Sequence, residues 1–238
     1  MKRHFKLLSL VAGFFLVPGL AADPVTDAIG KPGRLSADLE RDKRSHPEVI
    51  LPLLQLQPGD RVADIWAGAG YYSELIASIV GEDGEVLLVN NLAYEKFAGK
   101  ALAERQEGRD MGSVTLHTRE AEDLALGENN LDAALIIMSY HDLYHVDEPN
   151  GWRPIDADNF IGQIHRALKP GGRFLVVDHY AAPGTGKDSA QELHRIDVDF
   201  AKKDITAHGF KLVAQSDVLR NPDDDYNIMV FDPQVRGN

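Results

Sequence analysis

Cysteine is absent from all 238 residues. Disulfides, thiolate metal sites and a lipid on a processed N-terminal Cys are therefore excluded, and stability has to come from the packed core. Positive charge is in deficit: 25 Lys and Arg stand against 37 Asp and Glu, a formal net charge of −12. This argues against nucleic acid as the main partner. Long apolar runs are also lacking. The one candidate, Leu7 to Leu20, is interrupted by Pro18 and is shorter than the roughly 18 to 20 residues that span a bilayer. No internal repeat, low-complexity tract or long linker divides the rest of the chain.

The apolar run has the flanks of a secretory leader. Lys2, Arg3 and Lys6 precede it, and the small residues Gly19, Ala21 and Ala22 follow, which predicts a signal peptide over residues 1–22 with cleavage near Ala22. A periplasmic or secreted protein without a stable membrane anchor is expected. With 44% hydrophobic and 26% charged residues, the remainder suits one well-cored domain, here residues 48–238. Residues 23–47 are polar and read as an N-terminal arm leading into a short helix and covering one side of a site.

Strand and helix signals then alternate. A turn at Pro58-Gly59-Asp60 feeds a buried strand, Val62 to Ile65, followed by Ala67-Gly68-Ala69-Gly70 and a helix from Tyr71 to Val80. Gly81 to Gly84 turns into a strand over Glu85 to Val89, and the next helix carries Tyr94, Phe97 and Leu102. Further strands are expected at Val114 to His117, Leu131 to Met138 and Arg173 to Asp178, with a helix from Asp158 to Leu168 stopped by Lys169-Pro170-Gly171-Gly172. The run Leu131 to Met138 is apolar without alternation, as in a strand buried on both faces. Beyond it, a long helix from Ser189 to His208 and two strands, Lys211 to Val218 and Asn227 to Phe231, are expected, the last pair as a hairpin. Alternating strands and helices demand a parallel sheet with helices on both faces.

Three segments in this order, Val62-ADIWAGAG-Tyr71, Leu131-DAALI-Ile137 and Leu168-KPGGRFLVVD-His179, resemble the class I S-adenosylmethionine-dependent methyltransferases. The resemblance covers roughly Leu51 to Pro233. It implies a Rossmann-like, doubly wound α/β fold with a mostly parallel seven-stranded sheet ending in an antiparallel hairpin, and S-adenosyl-L-methionine as cofactor. Ala67, Gly68 and Gly70 would face its aminoacyl part, where missing side chains let a ligand approach the backbone. Asp64 would orient the methionine amino group or the loop amides. Glu120 and Ala121 match the acidic-alanine pair that contacts adenine, and Ser139, just past the fourth strand, is counted with the cofactor residues.

Two positions depart from the family pattern. Asn90, ending the second strand beside Asn91, stands where the family has an acidic residue for the ribose hydroxyls, so the stronger charge-assisted bonds are lost. Trp66 replaces the first glycine of the motif. Its indole either forms a pocket wall against the sulfonium or fills the space that the methionine moiety needs.

The run Ser139-Tyr140-His141-Asp142-Leu143-Tyr144-His145 leaves the fourth strand, at the carboxyl end where open α/β sheets bind ligands. His141 is the first candidate base for a protic acceptor, with Tyr140 and Asp142 as orienting groups, and His179 is the second. Alternatively, His141 and Asp142 cap a helix or tie down the loop. His194 and Arg195 either reach the same mouth or lie on a surface helix. His141, His145, Asp178, His179 and His194 could converge as metal ligands, but no HExxH and no tight ligand triplet is present, and no metal site is expected. The substrate expected is a small molecule or an envelope component. A non-catalytic exported binding protein that keeps the fold, and an assembly partner using the arm, are the competing readings.

Overall fold

A computed structural model describes residues 23–235. The leader expected over residues 1–22 lies outside the described residues, so nothing structural bears on it. The described chain opens with α1 (Pro24–Ile29), α2 (Ser36–Ser45) and α3 (Pro47–Ile50). Asp23 caps α1 by accepting from the amides of Val25 and Thr26. There follow β1 (Arg61–Ile65), α4 (Tyr71–Val80), β2 (Glu85–Asn90), α5 (Leu92–Gln106), β3 (Val114–Thr118) and β4 (Leu131–Ile137). The chain continues through α6 (Ala157–Ala167), β5 (Leu168–Val177), α7 (Ser189–Leu193) and α8 (Val198–Ala207).

The five strands form one parallel sheet in the order β3-β2-β1-β4-β5. Strand order reverses between β1 and β4, which makes the carboxyl ends of that pair the topological switch point. Strand residues alternate between two cores. Ala63, Ile65, Leu87, Val89, Ala134 and Ile136 pack toward Phe160, Ile161 and Ile164 of α6. Val62, Val86, Ala133 and Leu135 face Leu75, Ile76 and Val80 of α4. Helices thus cover both faces, as the apolar strands require.

Three expectations are corrected. First, Lys211 to Val218 and Asn227 to Phe231 are not strands, so among the described residues the sheet has five strands, not seven, and no hairpin. The backbone of this region is held by a side chain instead: the buried guanidinium of Arg195 donates to the carbonyls of Tyr180 and Ile228 at 2.9 and 2.8 Å and to both carboxylate oxygens of Asp224. Second, the long helix over Ser189 to His208 is broken. His194 takes a left-handed conformation, φ 53°, and Asp197 restarts the helix as the cap of α8. Third, Lys169 to Gly172 bulge out within β5, since Leu168 pairs with Leu131 and Arg173 with Ala133.

The N-terminal arm is bound to the domain by buried charge. Arg105 of α5 donates to both carboxylate oxygens of Asp38 in α2, to Glu74 of α4 and to the carbonyl of Ala69 in the loop before α4. Tyr71 donates to Asp42 of α2 at 2.6 Å, and the Arg41 guanidinium stands 4.1 Å from the centroid of the Tyr71 ring. The arm therefore lies over the start of α4.

Candidate active site

The loop between β1 and α4 runs through three left-handed residues, Trp66 (φ 53°), Gly68 (φ 58°) and Gly70 (φ 80°). Glycine suits position 70, where the left-handed backbone strains any side chain and a Cβ would press on Leu88 Cδ1 at 2.7 Å. At Gly68 it would meet only the Cβ of Ala98, at 3.7 Å, so that glycine leaves bare, half-exposed backbone between Ala67 and Ala69. Met138, directly after β4, is also left-handed, φ 56°. Non-glycine residues in this region cost about 1 to 3 kcal/mol each and gather at functional sites. Here one follows each strand of the switch-point pair.

Trp66 neither walls the loop nor fills it. Its indole is 2% exposed and packs in the core, stacked on Tyr94 at 5.6 Å and 14° and tilted against Phe160 at 4.7 Å. Among the described residues the indole N–H has no partner.

Asn90 is likewise engaged internally. Its carbonyl accepts from the Gly68 amide at 3.0 Å and its NH2 donates to the Gly68 carbonyl at 2.9 Å. Asn91 caps α5 by accepting from the Tyr94 amide. The carboxylate of Asp64 lies beneath the loop, where it accepts from the Ser73 hydroxyl at 2.6 Å, and burial raises its pKa to about 7 against the opposing bond from Ser73. Its partner is thus the first turn of α4.

On the far side of the loop, the Glu120 carboxylate accepts from the Leu92 amide at the start of α5 and pairs with Arg153. Ala121 is buried, its carbonyl taken by Gln163. Ser139 is buried and donates to the Ile137 carbonyl.

At the carboxyl ends of β4 and β5 the expected histidines gather. His141 is 2% exposed; its amide donates to Asp178 at 2.6 Å, its Nδ1 lies 2.7 Å from the same carboxylate, and its Nε2 lies 3.2 Å from Asp142 Oδ1. Burial alone would lower the pKa of this imidazole, but the two carboxylates outweigh it and push the value up to about 10. Both ring nitrogens of His141 thus lie beside carboxylates. Its amide and ring tie the loop after β4 to Asp178. Asp142 orients it, while Tyr140 does not: the Tyr140 hydroxyl donates to Asp204, away from the imidazole.

His179 has its pKa lowered, chiefly by burial, and stands 6.3 Å from His141 between ring centroids. The pKa of His145 is lowered as well, again chiefly by burial. The break between α7 and α8 turns His194 inward, 5.3 Å from the His141 ring and 4.4 Å from His145, whereas Arg195 points to the C-terminal segment. Sequence reasoning missed the two carboxylate partnerships that decide these roles, Asp178 with His141 and Tyr94 with Asp142 at 2.5 Å. The only local sign was an acidic residue ending the fifth strand.

Comparison with known proteins agrees with this architecture. The methyltransferase domain family matches residues 63–176. A ubiquinone/menaquinone biosynthesis C-methyltransferase UbiE of Teredinibacter turnerae is 27% identical over 177 residues, 73% of this chain and 65% of that protein. The corresponding enzyme of Ectopseudomonas mendocina is 30% identical over 135 residues, 56% of this chain and 47% of that one. The chain thus spans about half to just under two thirds of these relatives' lengths. Among solved structures, an S-adenosylmethionine-dependent methyltransferase of Aquifex aeolicus superposes with a TM-score of 0.55 at 21% identity, over 81% of this chain and 90% of that one. The domain match spans just under half of the chain, and with the fold and the glycine loop it supports a class I S-adenosylmethionine-dependent methyltransferase.

Proposed function

We propose that this protein is an S-adenosylmethionine-dependent methyltransferase acting on a small molecule or an envelope component. The observation that carries the reading is the bare backbone at Gly68, half-exposed at the switch point, with only Ala98 beside the space a side chain would take. Buried Trp66 leaves that space clear. The matched relatives are named as C-methyltransferases of quinone biosynthesis, which supports a small organic acceptor.

Bound S-adenosylmethionine would supply an activated methyl group. Ala67, Gly68 and Gly70 would shape the seat for its aminoacyl part, and Glu120 with Ala121 would flank the adenine. Alignment of donor and acceptor supplies most of the rate in such a transfer. His179 would take the proton from a protic acceptor, since it directly follows the end of β5 and burial lowers its pKa. Export, with cleavage near Ala22, belongs to the same proposal, and N-terminal sequencing of the mature protein tests it.

A second reading, a non-catalytic exported binding protein, is favoured by one observation: both departures from the family pattern, Trp66 and Asn90, are engaged in internal packing. Methyl-labelled S-adenosylmethionine incubated with the mature protein and fractionated cell-envelope and small-molecule extracts separates the two. Labelled product that disappears in His179→Ala supports the enzyme. Binding of the cofactor without any labelled product supports the second reading.

A further inference from the structure

We infer that His141, Asp142 and His194 form a binding site for one divalent transition-metal ion. The inference goes beyond the methyl-transfer reading and does not rest on it. Each of the three residues offers a ligand atom, and these atoms all lie within 4.8 Å of one another. His141 Nε2 is 3.2 Å and His194 Nδ1 3.6 Å from the same oxygen, Asp142 Oδ1. Tetrahedral sites with metal–ligand bonds of about 2.0 to 2.1 Å place ligand atoms about 3.3 Å apart, so these spacings bracket the required edge.

The surroundings of each ligand have the form that metal sites need. A ligating imidazole characteristically donates its other N–H to a carboxylate, which fixes the tautomer and turns the free lone pair toward the metal. His141 does this through Nδ1 and Asp178, at 2.7 Å. Asp142 is held by the oxygen not used in the cluster: Tyr94 donates to Oδ2 at 2.5 Å, leaving Oδ1 for the ion. His194 Nδ1 is buried and, among the described residues, has no hydrogen-bond partner, although it is turned to within 3.6 Å of a carboxylate. The His194 side chain is 19% exposed, which gives the ion a path from solvent.

Two imidazoles and one carboxylate with a remaining open position suit zinc, iron or cobalt, and not the all-oxygen shells of calcium or magnesium. The left-handed turn at His194 that breaks the expected helix is what aims the third ligand, and local strain of this kind is expected where a site is being built. A second group, Asp158, Asp204 and His208, is more open and serves as an internal control.

The test uses untagged mature protein stripped with chelator, dialysed against cobalt or zinc chloride and assayed for metal by mass spectrometry. The expected result is one ion per chain at micromolar concentration, with cobalt giving the strong visible absorption of a four-coordinate site. His194→Asn, which suits the left-handed backbone, and Asp142→Asn should each weaken uptake by at least about a hundredfold. Asp178→Asn should weaken it by about ten- to a hundredfold. Unchanged circular dichroism and melting of the stripped His194→Asn protein establishes that the loss is not unfolding. No uptake, or uptake that survives both ligand substitutions and falls with His208→Ala, overturns the proposal. Titration of the stripped protein with S-adenosylhomocysteine is read separately, so failure at the metal site leaves the methyl-transfer reading standing.

Discussion

The carboxamide of Asn90 closes a two-bond ring on the backbone of Gly68, accepting from its amide at 3.0 Å and donating to its carbonyl at 2.9 Å. A position at the end of β2 where the family carries a ribose-binding acid thus shapes the glycine loop instead. Asn90→Asp removes the donor and sets a buried carboxylate against the Gly68 carbonyl, a loss of about 1 to 3 kcal/mol. The melting temperature should fall, and S-adenosylhomocysteine affinity with it. A variant that binds this ligand more tightly would show that the acid can reach the ribose and that the ring is dispensable.

Trp66→Gly removes an indole packed against Tyr94 and Phe160. Truncating a buried Trp typically costs about 3 to 5 kcal/mol, and relief of the left-handed conformation returns about 1 kcal/mol of it. Chemical denaturation should therefore show a net loss of about 2 to 4 kcal/mol, with S-adenosylhomocysteine affinity little changed wherever the variant stays folded. Sharply improved binding would mean that the ring obstructs the seat.

Asp64 gives the protein a pH dependence. Its pKa is about 3.8 when unfolded and about 7 when folded, raised by burial. The folded state therefore holds the extra proton between these values. Its contribution is fully present below about pH 4 and is lost as pH rises toward 7. Asp64→Asn keeps an acceptor for Ser73 without the buried charge. Its stability relative to the parent should rise between pH 5 and pH 8, as followed by urea unfolding. A difference that stays flat over this range would contradict the assignment.

The arm is tested at Arg105. Its side chain is 5% exposed between Asp38 and Glu74, and removing one partner of such a buried network costs about 3 to 5 kcal/mol. Arg105→Met should lower the melting temperature strongly. Asp38→Asn should have a smaller effect on melting while making residues 23–47 sensitive to limited proteolysis. Equal protection of the arm in parent and variant would show that Asp38 does not fasten it.

Most of the sheet was legible because its signals are local. Val62 to Ile65, Leu131 to Met138 and the glycines at 68 and 70 carry apolar runs and turn residues in place. What could not be read depends on partners far along the chain. The direction of Trp66 is set by Tyr94 and Phe160. The hold of Asp178 on the Nδ1 of His141 reaches across 37 positions. The break at His194 needs Arg195 to be drawn inward by Asp224, and the same clamp stands where a hairpin over 211–231 is expected from the sequence. Asp197 alone, a capping residue inside an apparent helix, marked that break in advance.

Isothermal titration of S-adenosylhomocysteine into the protein and into Gly68→Asn, whose side chain tolerates the left-handed backbone at this position, tests the cofactor seat most directly. Binding at micromolar strength in the parent, lost in a variant that melts within a few degrees of it, is the expected result. No heat in the parent, or equal affinity in both proteins, would contradict the placement of the cofactor at this loop.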